Sequence, residues 1–131
     1  MPDYYCQSSS FLKIPPEKLD KAKRILDILE TQAKDELCYP GYAYEIEKDG
    51  VWIYSEKEFN PHDAERAIRR LVDELELDEP FVCLWSYSCS KMKVDEFGGG
   101  AFVVKRGYKT FWIDAYNAAK EAIEKNLLEE V

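Results

Sequence analysis

The stretch from Tyr42 to Tyr54 narrows the possible folds more than any other. Two runs rich in aromatic and branched residues, Tyr42–Ile46 and Val51–Tyr54, flank Asp49-Gly50. Asp-Gly between such runs signals a two-residue hairpin, because the turn that matches strand twist favours residues tolerating positive φ. That register sets Ile46 opposite Ile53 and Tyr44 opposite Ser55 on the core side. On the other face it sets Glu47 opposite Trp52 and Glu45 opposite Tyr54. Two acids among two aromatics are what a half-exposed recognition face carries. The plainer role for the aromatics is to cover a neighbouring loop.

An amphipathic helix stands on each side of this hairpin. Pro15-Pro16-Glu17 opens the first, with proline at the start and an acid in the first turn. Its apolar stripe is Leu19, Ala22, Leu26, Leu29 and Ala33, widened by Ile25 and Ile28. Cys38-Tyr39-Pro40-Gly41 breaks it. The second helix has Asn60 as N-cap, Pro61 as first residue and a stripe of Ala64, Ala67, Ile68, Leu71, Val72 and Leu75. His62 falls in its first turn, where a lone histidine is ordinarily a surface residue. Asp73, Glu74, Glu76, Asp78 and Glu79 crowd its C-terminal end. The helix dipole disfavours each anion there by roughly a few tenths of a kcal/mol. Repetition of that choice points to a solvated acidic turn, or to selection for something other than helix stability.

The outer segments are expected to be strands. Tyr4–Ile14 alternates around the serine run Ser8-Ser9-Ser10, whose hydroxyls either pair across strands or line a polar groove. Phe81–Ser90 is apolar on both faces at first, and then one face becomes all serine. This pattern suits a strand that starts buried on both sides and emerges at a rim. Gly98-Gly99-Gly100 then reads as a bend or bulge. The alternative is a backbone cradle for an anion, with Ser88, Ser90, and Lys91, Lys93 or Arg106 close by. No phosphate-loop or dinucleotide fingerprint is completed. Ala101–Lys105 and Tyr108–Ile113 make a second hairpin around Arg106-Gly107. Asp114 then caps a last helix whose Ala115, Ala118, Ala122, Ile123 and Leu127 suit close docking on a sheet.

The order β-α-β-β-α-β-β-β-α specifies one α+β domain over residues 1–131. Its first six elements (βαββαβ) follow the split βαβ, or ferredoxin-like, pattern, extended by a C-terminal hairpin and helix. In that pattern the first and fourth strands are neighbours, so Tyr5–Ser8 lies beside Tyr87–Ser90, and both long helices share one face.

Charge bounds the partners. The net charge is −8, and residues 41–80 hold five basic against twelve acidic side chains. Net acidity disfavours direct nucleic-acid binding, which depends on lysine and arginine releasing counterions from phosphate. It suits solubility, or a protein partner with a basic surface. Cys6, Cys38, Cys83 and Cys89 form no C-x-x-C pair, so reduced thiols and no metal or cofactor are expected. Cys6 and Cys89 fall on strands expected to be adjacent. No apolar run approaches a bilayer span, and the N-terminus lacks the regions of a signal peptide, which implies a cytoplasmic protein.

The segments Tyr5-Cys6-Gln7-Ser8-Ser9-Ser10-Phe11, Trp85-Ser86-Tyr87-Ser88-Cys89-Ser90-Lys91 and Asp95-Glu96-Phe97-Gly98-Gly99-Gly100-Ala101 resemble a family of small uncharacterised proteins carried by phages and other mobile elements. The resemblance spans most of the chain and carries over no catalytic residues. It implies a context in which small acidic proteins often inhibit host defence, including anti-CRISPR and anti-restriction proteins.

The expectation is a non-enzymatic binder acting in the host cytoplasm, with no membrane partner. It masks a basic surface with Glu45, Glu47, Asp73, Glu74, Glu76, Asp78 and Glu79, and with Trp52 and Tyr54 as anchors. The alternative is a small-ligand or nucleotide-binding domain using Ser88, Ser90, Lys91, Gly98, Gly99, Gly100 and Arg106.

Overall fold

A computed structural model of the chain describes residues 4–36, 40–92 and 97–131. Strands β1 (Tyr4–Lys13), β2 (Ala43–Glu47), β3 (Gly50–Ser55), β4 (Phe81–Cys89), β5 (Gly98–Val104) and β6 (Phe111–Asp114) form one antiparallel sheet in the order β2-β3-β1-β4-β5-β6. Helices α1 (Leu19–Asp35), α2 (Pro61–Glu74) and α3 (Ala115–Glu124) complete an α+β structure. No described helix is long and apolar enough to cross a membrane.

The core lies between α1, α2 and one face of the sheet. Ala22, Ile25 and Leu26 of α1 and Ala64, Ala67, Ile68, Leu71 and Val72 of α2 are buried in one cluster with Leu12, Val51, Ile53, Phe81, Cys83, Phe102 and Val104. Each contributing strand gives alternate residues, as the two-residue side-chain period requires. Fully burying a large aliphatic side chain is worth roughly 1.5–3 kcal/mol. The two helix stripes therefore orient both helices against the sheet. Asn60 caps α2 by accepting from the amides of His62 and Asp63.

The first hairpin keeps its two faces but shifts its register by two residues. Tyr44 lies opposite Ile53, Ile46 opposite Val51, Glu45 opposite Trp52 and Glu47 opposite Gly50. The turn is Lys48-Asp49, and Gly50 begins β3 without positive φ. A side chain at Gly50 would stand 2.3 Å from the Leu12 carbonyl oxygen and 2.7 Å from the Phe11 ring. The glycine therefore answers to the close approach of β1 rather than to a turn.

The core serines pair across strands. The Ser8 hydroxyl donates to the Leu84 carbonyl at 2.6 Å, and Ser10 donates to the Cys83 sulfur at 3.6 Å. Ser8 Oγ also lies 3.6 Å from the Cys83 sulfur. Burial outweighs these contacts and pushes the Cys83 thiol above its usual range. Cys6 and Cys89 are on adjacent strands with their pairing offset by two, since Cys6 opposes Tyr87 and Tyr4 opposes Cys89. Cys6, Cys83 and Cys89 are free thiols, and Cys38 lies outside the described residues.

Three further expectations are corrected. The β4 strand is not buried on both sides: Val82 is 52% exposed and Leu84 63%, because α1 and α2 cover only the opposite face. Gly98–Gly100 form neither bend nor bulge but regular strand, paired with Tyr87, Ser86 and Trp85. A Cβ on Gly98 would lie 2.5 Å from the Tyr87 ring, and one on Gly100 would lie 2.7 Å from the Trp85 ring and 2.2 Å from the Ile113 carbonyl oxygen. The glycines are therefore the floor under two aromatic rings. Finally, β6 starts at Phe111 rather than Tyr108, and α3 buries no residue.

Candidate partner-binding face

The sheet face opposite α1 and α2 carries the most distinctive side chains. Trp52 and Tyr54, two residues apart on β3, project from it and stack with ring centroids 3.8 Å apart and planes 20° apart. The Trp52 indole N–H donates to the Ser9 hydroxyl of β1 at 2.8 Å, which fixes the ring. Both aromatics are half-buried, so each keeps a rim in solvent. Glu45 lies directly across from Trp52 on the edge strand β2, and Glu47 is the next residue on the same face. A trough of about 500 Å³ runs beside the stack, lined by Gln7, Ser9, Trp52, Tyr54, Leu84 and Ser86 among others. A rigid aromatic pair with carboxylates on one side and hydroxyls on the other fits a partner's cationic side chain, which an aromatic face and a carboxylate attract together.

The other acidic group does not join this face. Asp73 and Glu74 end α2, and Glu76, Asp78 and Glu79 follow in the loop to β4. Four of the five are engaged: Asp73 with Arg69 at 3.4 Å, Glu74 with Arg70 at 2.7 Å, Glu76 with Arg106 at 3.8 Å, and Asp78 with the same Arg106. The contact with Arg70 is the main reason the Glu74 carboxyl sits below its usual range. Two lysines complete the neutralisation. Lys18 donates to the Leu75 carbonyl at 2.7 Å and Lys21 to the Glu74 carbonyl at 3.2 Å. Cations at the start of α1 and in the turn just before it thus satisfy the helix end that the neighbouring acids disfavour.

The residues of the ligand-binding alternative are also dispersed. Ser88 sits opposite Tyr5, while Ser90 and Lys91 are exposed past the end of β4. Arg106 lies beyond the far end of β5 from Gly98, a strand of seven residues and roughly 20 Å at the usual rise. There it is tied to Asp78. Lys93 falls outside the described residues. Gly98–Gly100 have extended backbones within the ladder, and their amides do not converge.

Sequence reasoning missed two polar clusters. Arg69 reaches from α2 to the β5–β6 loop, donating to the carbonyls of Lys105 at 3.0 Å and Tyr108 at 2.8 Å and to the Thr110 hydroxyl at 3.0 Å. Thr110 in turn donates to Glu65 at 2.5 Å. Tyr44 brings its hydroxyl to 2.6 Å from Asp27 and 2.8 Å from Glu30. That contact is the largest cause holding the Glu30 carboxyl below its usual range. The exposed Phe11, Val82 and Leu84 were legible only once the parity of β1 and β4 against β3 was known.

Among the described residues no group of three or more histidine, cysteine or acidic side chains is placed to hold a metal ion. Compared with known proteins, the chain matches no family model, no curated protein and no solved structure.

Proposed function

We propose that the protein is a non-enzymatic binding protein that masks a basic, nucleic-acid-handling surface of a host defence protein, in the manner of an anti-CRISPR or anti-restriction inhibitor. The observation that carries this reading is the stacked Trp52–Tyr54 pair, held by Ser9 on a sheet face without helix cover and flanked by Glu45 and Glu47. Aromatic anchors supply most of the contact in such interfaces, and the surrounding charges speed encounter and select the partner. The binding face is smaller than the acidic composition suggests. Asp73, Glu74, Glu76 and Asp78 are already matched by Arg69, Arg70 and Arg106, so the hairpin acids lead. The cytoplasm of the host and a phage or mobile-element origin belong to the same proposal.

The fold is read in the same spirit. The strand order β2-β3-β1-β4, with α1 and α2 on one face, supports reading the chain as a ferredoxin-like split βαβ core to which β5, β6 and α3 are added. Fold alone carries no function. The nucleotide-binding reading has no comparable observation behind it, since its glycines are ladder residues and Arg106 stands at the other end of β5.

The test is a phage-plating assay in a host whose defence system the protein blocks. Wild type is expected to restore plaques. Trp52→Ala, and separately Glu45→Lys with Glu47→Lys, should lower that effect by about tenfold or more, since loss of an anchor residue costs about 2 kcal/mol or more. Asp73→Lys with Glu76→Lys should change it little. Hairpin variants with native circular dichroism and undiminished protection would refute the proposal.

A further inference from the structure

The two edges of the sheet are built differently. The β2 edge carries Glu45 and Glu47 in a five-residue strand, and such charges discourage pairing with another chain. The β6 edge carries Phe111-Trp112-Ile113, closed only by Asp114. Strand β6 pairs with β5 on one side and ends the sheet on the other. Asp114 also caps α3 by accepting from the Asn117 amide at 2.9 Å. Strand and helix are therefore joined without a loop and occupy the same edge.

This edge is apolar. Phe111, Tyr116, Ile123, Leu127 and Leu128 are each 65–69% exposed, with Trp112 at 39% and Ile113 at 40%. Tyr116 and Ile123 are two turns apart on one side of α3. Taking roughly 150–200 Å² for a large side chain, these residues leave roughly 600–800 Å² of apolar surface in water. A standard interface uses about 800 Å² per partner, and monomers seldom expose so much in one place. A second copy of the chain offers a matching apolar area and a matching bare strand edge.

We infer that the β6–α3 edge is a homodimer interface. The two β6 strands pair antiparallel about a two-fold axis, and each α3 buries Tyr116 and Ile123 against the other copy. The contact is isologous, so one bare edge satisfies another and no edge is left to propagate. It joins two six-stranded sheets into one and leaves the two acidic β2 edges at its outer ends. The dimer does not depend on the binding role proposed for those outer faces.

Sedimentation velocity over a range of concentrations tests this. The wild-type chain is expected to move from 15.3 kDa to twice that mass as concentration rises. Ile123→Glu, and independently Phe111→Lys, should hold it at the monomer mass with an unchanged circular dichroism spectrum. Both side chains are exposed in the single chain, so neither change threatens folding. A wild type that stays monomeric at several hundred micromolar, or variants that associate as the wild type does, would overturn the inference.

Discussion

Helices α2 and α3 follow the same local rules and meet opposite fates. Each is N-capped by a side chain, Asn60 or Asp114. Each ends at a residue of φ 54°, Glu76 or Asn126, followed by an amide that reaches back into the helix, Leu77 to Val72 and Leu127 to Ala122, both at 2.9 Å. Both carry an apolar stripe. Yet α2 buries five residues and α3 none. The difference lies in the connections. Residues 56–60 lead into α2 and 75–80 lead out of it, which lets the helix lie across the sheet. Helix α3 follows β6 with no connecting residue, so it approaches β5 and leaves its large apolar side chains exposed. Apolar periodicity shows that a helix has something to bury, and the length of the adjoining chain decides whether its own sheet can cover it.

The largest effect expected from this contrast is in the core. Leu71→Ala in α2 or Leu26→Ala in α1 should cost about 2–5 kcal/mol in urea denaturation, through lost burial and a cavity. Ile123→Ala in dilute protein should change stability by no more than about 0.5 kcal/mol, as at other exposed positions. Equal losses at both sites would erase the contrast.

A smaller effect separates the two helix ends. Glutamate at Glu76 and asparagine at Asn126 occupy the same left-handed conformation. Asparagine tolerates it, whereas other non-glycine residues carry a penalty of roughly 1–2 kcal/mol. Glu76→Gly should therefore stabilise the protein by about 1 kcal/mol, after loss of its long contact to Arg106. Asn126→Gly should do less. Thermal unfolding of the two variants side by side measures this.

Most of the fold was legible because several local signals agreed. The stripe of α2 was buried residue for residue, and the two faces of the hairpin were assigned correctly. Its register was not, because Asp49-Gly50 carries two signals and the stronger contact, Gly50 against Leu12 and Phe11, is long-range. The same cause hid the purpose of Gly98–Gly100, whose constraint comes from Tyr87, Trp85 and the Ile113 carbonyl on other strands. At the candidate site, Trp52, Tyr54, Glu45 and Glu47 were found through strand parity alone. Asp73, Glu74, Glu76 and Asp78 were grouped with them because charge along the chain does not reveal its counterions. Those came from Arg69 and Arg70 one turn away and from Arg106 about thirty residues on.

Backbone hydrogen exchange at two protein concentrations tests most directly whether α3 is left uncovered within its own chain. The amides of Ile68, Leu71 and Val72 in α2 should exchange only through global unfolding at either concentration. Those of Ala119–Glu124 in α3 should exchange at least ~100-fold faster in dilute protein, since an uncovered helix opens locally. Their protection should rise on concentration, together with that of β6. Protection of α3 equal to that of α2 in dilute protein would contradict the account.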